Sequence, residues 1–296
     1  MPVRIYLTDP VCLEVEGRVF DDWRRVGRQG RLIFAILAAE HLRPVAVDEL
    51  AEELWPDQLP ASSERTLSAL VSKLRSLLDQ AGIRGAYLIN AFASYQLRLP
   101  GDAVIDIETA VEAIDRAEGL LRAANHGEAV GWAWITHQVL RRPFLVGEDG
   151  PWATRKRAEL TEVLFRAHEC LSELFVWNGE PAMAVWHAEH AIAMEPYRES
   201  AYQHLMRAQA ASGNRALAFK TYERCRCLLI DELGVSPSPE TEAVYRQILE
   251  AQQAASFLQR GTPLPPPACG LRRSPTVWET HGTADHAPAP VPSVER

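Results

Sequence analysis

Lysine is nearly missing from this chain of 296 residues. Of its 31 basic side chains only Lys73, Lys156 and Lys220 are lysine, a bias that fits GC-rich coding and says nothing about chemistry. No run of about 18 apolar residues occurs, so no membrane span is expected. The N-terminus, MPVRIYLTDP, has no basic stretch followed by an apolar core; a secretion signal is not expected, and the chain reads as cytoplasmic. The five cysteines (Cys12, Cys170, Cys225, Cys227, Cys269) are odd in number and scattered, which favours reduced thiols. Cys225 and Cys227 stand too close for a zinc-ribbon pair, and no second pair accompanies them.

Catalytic signatures are missing too. "GRQGR" (27–31) lacks the Lys-Ser/Thr of a phosphate loop, and neither G-x-S-x-G nor H-E-x-x-H occurs. An enzyme is not expected. His187 and His190 are three apart on one helix, and His204 could approach from the next. They read as surface or interhelix histidines, with neither metal nor cofactor expected.

What is present suffices for two domains, since apolar residues make up 47% of the chain. The net charge of −8 has the wrong sign for a generic nucleic-acid binder, but its distribution is polarised. Residues 61–100 hold five cations and two acids, whereas residues 40–60 hold one cation and six acids.

Within the positive part lies "SSERTLSALVSKLRSLL" (62–78). Leu67, Leu70, Val71, Leu74, Leu77 and Leu78 recur by threes and fours, giving one apolar stripe on a helix that turns about 100° per residue. The opposite face presents Arg65, Ser68, Ala69, Ser72 and Ser76. Lys73 and Arg75 lie about 80° to either side of it. Ordinary surface helices mix Glu and Lys; a face of small hydroxyls and cations fits the floor and walls of a DNA major groove.

Short strands are expected around Arg4–Leu7 and Val11–Val15, with a third through Val19. A helix follows over 29–41, striped by Leu32, Ile33, Ile36 and Leu37. The next helix, 47–54, should turn Asp48, Glu49, Glu52 and Glu53 outward, and Pro56 stops it. Ser62 or Ser63 is the expected cap of the helix above. "AYLIN" and "SYQLRL" form a hairpin around Ala91-Phe92-Ala93. The order of strands, three helices and a hairpin is that of a winged helix-turn-helix, with 63–78 as recognition helix.

From Asp106 onward the pattern is helical: 105–124, 128–140, 152–177, 181–194, 198–211, 215–229 and 239–253. A period of 34 relates Gly179 to Gly213, Leu171 to Leu205, Ala184 to Ala218 and Ala191 to Cys225, which reads as tetratricopeptide-like. The fold class is therefore mainly α with small β: a winged helix (1–100), an all-α tetratricopeptide-like bundle (101–255), and a disordered tail (256–296). The last 43 residues carry eight of the 20 prolines.

"GRQGRLIFAILAAEHLRPVAVDELAEELWPDQLPASSERTLSALVSKLRSLL" resembles the DNA-binding half of the SARP family of antibiotic-pathway regulators. "PWATRKRAELTEVL" and above all "DELGVSPSPETEAVYRQIL" resemble that family's bacterial transcriptional activator domain. The resemblance covers about residues 3–250 and is that of a small member without an ATPase module. It implies an OmpR-type winged helix that binds direct repeats in double-stranded promoter DNA as a homodimer. It further implies recruitment of RNA polymerase holoenzyme through its sigma factor, a nucleoid-associated location, and control of a specialised-metabolite cluster.

Carried onto this chain, the DNA-binding residues are Arg65, Thr66, Ser68, Ser72, Lys73, Arg75 and Ser76, with Arg84 and Arg98 at the hairpin base. Arg65 and the serines would meet base edges, and Lys73 and Arg75 the phosphate walls. Asp57 and Gln58, in the long loop 55–61, would meet polymerase. The triplet Arg155-Lys156-Arg157 reads as a solvated charge run. One departure stands out: the hairpin tip, "INAFASYQL", has Ser94 for the family's glycine and no cation, which predicts weaker phosphate binding and a smaller salt slope. A protein-interaction scaffold whose winged helix no longer binds DNA is the main rival reading. An enzyme on a helical scaffold is the second rival, and a repressor would differ from an activator only in where its site lies.

Overall fold

The computed structural model describes residues 3–21, 23–83 and 87–260. The chain opens with three short strands, β1 (Val3–Tyr6), β2 (Cys12–Val15) and β3 (Arg18–Phe20). Val3, Ile5, Leu13 and Val15 alternate inward and are buried, as half-buried strands require. A fourth strand, β7 (Val104–Ile105), comes from far along the chain and pairs parallel with β1, giving the order β3-β2-β1-β7.

Helix α1 (Gly27–Ala39) is buried without interruption from Leu32 to Ala38. One apolar stripe was expected. The helix is enclosed on all sides because it contributes to a core shared by both sheets and the helices around them. Helix α2 spans Val47–Leu54 and α3 spans Ser63–Gln80. The Ser62 side chain makes no capping bond. Its carbonyl instead accepts from the Thr66 N–H at 3.0 Å and the Thr66 hydroxyl at 3.1 Å.

The hairpin of β5 (Tyr87–Ala91) and β6 (Ser94–Arg98) pairs with β4 (Val45–Ala46) in the order β4-β6-β5. Phe92 and Ala93 form its two-residue turn, both with φ near +50°. Those are the positive dihedrals that a hairpin of this length needs, without the glycine that adopts them at low cost.

Seven helices follow: α4 (Asp106–Arg122), α5 (His126–Leu140), α6 (Pro151–Trp177), α7 (Pro181–Met194), α8 (Glu199–Ala211), α9 (Arg215–Leu228) and α10 (Pro239–Arg260). A π turn, Leu229–Leu233, links α9 to the loop before α10. Gly179 and Gly213 end α6 and α8 in the left-handed region, at φ +78° and +77°. The paired positions Leu171 and Leu205, Ala184 and Ala218, and Ala191 and Cys225 are all buried, so the 34-residue period follows the packing of successive helices. Ser238 caps α10: its hydroxyl accepts from the Thr241 N–H at 3.3 Å and donates to Glu199 at 2.9 Å. Helix α10 runs to Arg260, beyond the expected 253; of the proline-rich tail, residues 261–296 lie outside the described residues.

The described residues as far as Gln252 form one compact unit, with residues from β1 to α8 in a common core. Buried Asp106, at the start of α4, accepts from Leu7 N–H (2.9 Å), Thr8 N–H (3.1 Å) and the Thr8 hydroxyl (2.6 Å), so one carboxylate ties the end of β1 to the helical array. Buried Glu148, in the α5–α6 loop, receives Arg28 at 3.0 Å and Arg31 at 3.1 Å from α1.

Candidate nucleic-acid interface

Helix α3 owes its direction to its apolar stripe. Leu67, Leu70, Val71, Leu74 and Leu78 are buried, which leaves Arg65, Ser68, Ala69, Ser72, Lys73, Arg75 and Ser76 exposed. No acid falls between Arg65 and Leu78. Among the described residues Arg65 and Lys73 have no hydrogen-bond or ion-pair partner, so both charges are available to an external anion.

The other expected residues are placed differently. Arg75 donates to the Leu88 carbonyl of β5 at 3.1 Å, which braces α3 against the hairpin and occupies part of its guanidinium. Thr66 is half-buried, with its hydroxyl turned back on Ser62. The Ser76 hydroxyl accepts from Gln80 at 3.2 Å, one turn on. Arg98 is exposed at the end of β6, on the strand face opposite buried Tyr95 and Leu97, and lines a cleft with His41, Leu42 and Gln96. The structure therefore does not join Arg98 to the α3 row. Arg84 lies outside the described residues. Asp57 and Gln58 are exposed in the loop between α2 and α3, beside exposed Leu59. The hairpin tip is Phe92, fully exposed.

Sequence reasoning missed what holds this surface. Glu53 was expected on the wet face of α2; it is 7% exposed and turned inward. Its carboxylate accepts from the Trp152 N–H in the first turn of α6, where unpaired amides and the helix dipole favour an anion. Burial raises the Glu53 pKa, while the Trp152 and Ala153 amides and nearby Arg155 oppose that rise. Gly150 leaves room for this carboxylate: a Cβ on it would lie 2.3 Å from Glu53 Oε2, which would have to move. The Trp152 indole donates to Glu40 at 3.1 Å, and Lys156 approaches Glu40 at 3.8 Å and Glu159 at 2.6 Å. So the Arg155–Arg157 run is partly an internal contact: Lys156 is mostly buried and Arg157 pairs with Asp149 at 3.5 Å. A Gly-Pro helix start facing a glutamate pair was the signal available in sequence.

Residues 105–249 match the bacterial transcriptional activator domain. Regulatory protein AfsR of Streptomyces coelicolor is 29% identical over 241 residues, covering 79% of this chain but only 23% of that protein. Transcriptional regulatory protein MoaR1 of Mycobacterium tuberculosis is 29% identical over 224 residues, 74% of this chain and 71% of its own length. Among solved structures, Mycobacterium tuberculosis EmbR in complex with a low affinity phosphopeptide aligns with a TM-score of 0.75 at 24% identity, over 87% of this chain and 70% of that one. That likeness establishes the fold: a winged helix followed by a helical bundle. No helix among the described residues is long and apolar enough to cross a membrane.

Proposed function

This chain belongs to the SARP family of transcriptional regulators, and from that premise we propose that it binds promoter DNA through α3 and activates transcription by recruiting RNA polymerase. The observation that carries the reading is the outward row of Arg65, Ser68, Ser72 and Lys73, acid-free and with both cations unpaired among the described residues. An 18-residue helix exposed along one face has the dimensions to lie in a major groove. Arg65 grips a guanine edge with two hydrogen bonds, the serines donate or accept at neighbouring bases, and Lys73 sits against a phosphate. Arg75 reaches the opposite phosphate wall with the part of its guanidinium that Leu88 leaves open.

Two copies on direct repeats supply the affinity that a cation-free hairpin tip does not. The loop carrying Asp57 and Gln58 is the surface offered to polymerase and its sigma factor. The controlled genes are those of a specialised-metabolite cluster. No step of this mechanism makes or breaks a covalent bond.

Selection from a random duplex pool tests this. Enrichment of a sequence repeated in direct orientation, with activation in run-off transcription by holoenzyme, is the expected result. A pool that emerges unenriched overturns it. One observation favours a second reading, in which the hairpin meets protein: its tip is an exposed phenylalanine rather than an arginine.

A further inference from the structure

Three histidines far apart in sequence meet inside the helical array. His137 closes α5, His168 lies midway along α6 and His187 on α7, with exposures of 6%, 4% and 0%. A ring nitrogen of each lies within 4.8 Å of the others. His168 and His187 face each other through their Nδ1 atoms at 3.0 Å. His187 Nε2 and His137 Nδ1 are buried with no hydrogen-bond partner among the described residues. Of the expected companions of His187, His190 is exposed but stacks on His168, whereas His204 lines a separate pocket with Glu173 and Arg207.

Buried polar atoms are almost always paired, because an unpaired one costs its full desolvation penalty. Two orphan imidazole nitrogens beside a third imidazole are therefore out of place in an apolar core. The cluster has aromatic walls: Trp134 against His137 at 5.2 Å, Trp186 against His187 at 4.8 Å and Phe175 against His187 at 5.5 Å between ring centroids. Trp134 and Trp186 are partly exposed, so the cluster sits one layer beneath the surface.

We propose that His137, His168 and His187 form a three-imidazole site for a divalent transition metal, zinc in the first instance, that ties α5, α6 and α7 together. Imidazole is the ligand zinc shares with copper, nickel and cobalt, and three protein nitrogens with an open fourth position is an established zinc geometry. Zn–N bonds of about 2.1 Å place ligand nitrogens about 3.4 Å apart in a tetrahedron, so side-chain rotation within the present cluster brings the three rings to bonding distance. Burial lowers the pKa of all three histidines, which keeps the rings in the neutral form that ligation needs. The fourth position falls to water or to His190, whose ring stacks on His168 at 5.6 Å. The site stiffens the activator domain behind the DNA-reading face and takes no part in base recognition.

The test uses the purified full chain, stripped with chelator and titrated with Zn2+ and with Co2+. One ion per chain, a rise in Tm on loading, and visible cobalt bands of a four-coordinate site are expected. His137→Gln, the residue nearest a helix end, weakens binding by more than the 10–100-fold that loss of an outer partner costs. His204→Gln leaves it unchanged. X-ray absorption of the zinc-loaded wild type needs no variant and reads the ligands directly: an imidazole-dominated nitrogen shell supports the site, and a sulfur shell overturns it. Absence of stoichiometric binding by the wild type overturns it also.

Discussion

Glu53 of α2 caps the first turn of α6 through the Trp152 amide, so the helix that precedes α3 is anchored on the activator domain. With Asp106 holding β1 and Glu148 holding α1, three buried carboxylates join the winged helix to the array behind it. Helix α3 thus sits on a scaffold that includes the helical domain.

Removing the Glu53 carboxylate leaves the Trp152 amide buried without a partner. Glu53→Ala should cost about 1–3 kcal/mol in urea unfolding. Gly150→Ala should destabilise as well, because its Cβ would collide with Glu53 Oε2. Since Glu53→Ala deletes the colliding atom, the double variant should lose less than the two single losses combined. Strict additivity would show that the contact is not the cause.

Lys73 and Arg75 are separable. Lys73 has no partner among the described residues, so Lys73→Ala should leave the Tm unchanged and reduce the salt slope of DNA binding by about 1. Arg75 braces the hairpin through Leu88, so Arg75→Ala should weaken binding and also lower the Tm. Equal stabilities of the two variants would contradict the brace.

The turn Phe92-Ala93 holds two L-residues at positive φ. Ala93→Gly should raise stability by about 0.5–1 kcal/mol, read as a higher urea midpoint at constant m. A lower midpoint would mean that the turn is not strained as described.

Burial, and secondarily the charges of His137 and His190 and, for His187, that of His168, holds His168 and His187 at a pKa of about 3. In the unfolded chain they titrate near 6.5, so on acidification the unfolded state takes up protons first. Their contribution is therefore intact above pH 6.5 and lost progressively as the pH falls toward 3. For the metal-free protein this amounts to about 2 kcal/mol per histidine by pH 5, and less than twice that for the hydrogen-bonded pair. Urea midpoints at pH 7.5 and pH 5 should diverge for the wild type and diverge less for His168→Gln, in which His187 still titrates.

Much of this was legible because local rules agree with the packing. The bounds of α2 were read directly, since Leu50, Ala51 and Leu54 form its stripe and Pro56 stops it. The outward row of α3 was legible from spacings of three and four. Other features depend on contacts that spacing does not encode. The burial of α1 on every side comes from the second sheet and the helices closing over a face that a stripe reading leaves wet. Strand β7 is two residues long and exists because β1 is there to pair with it. Glu53 stands in a pair of glutamates, which reads as surface until a helix N-terminus is placed against it. The histidine cluster draws on three helices, and only the three-dimensional array brings His137 and His168 to His187. Arg75 had the right exposure, but its bond to Leu88 follows from how the hairpin folds back.

The central claim is that α3 reads DNA. Fluorescence anisotropy on a duplex recovered by selection, repeated across a salt series for wild type, Arg65→Ala and Lys73→Ala, tests it directly. The account predicts salt-dependent, sequence-selective binding that Lys73→Ala weakens with a shallower slope and that Arg65→Ala makes less selective. Binding whose selectivity and salt slope are the same in all three proteins would contradict it.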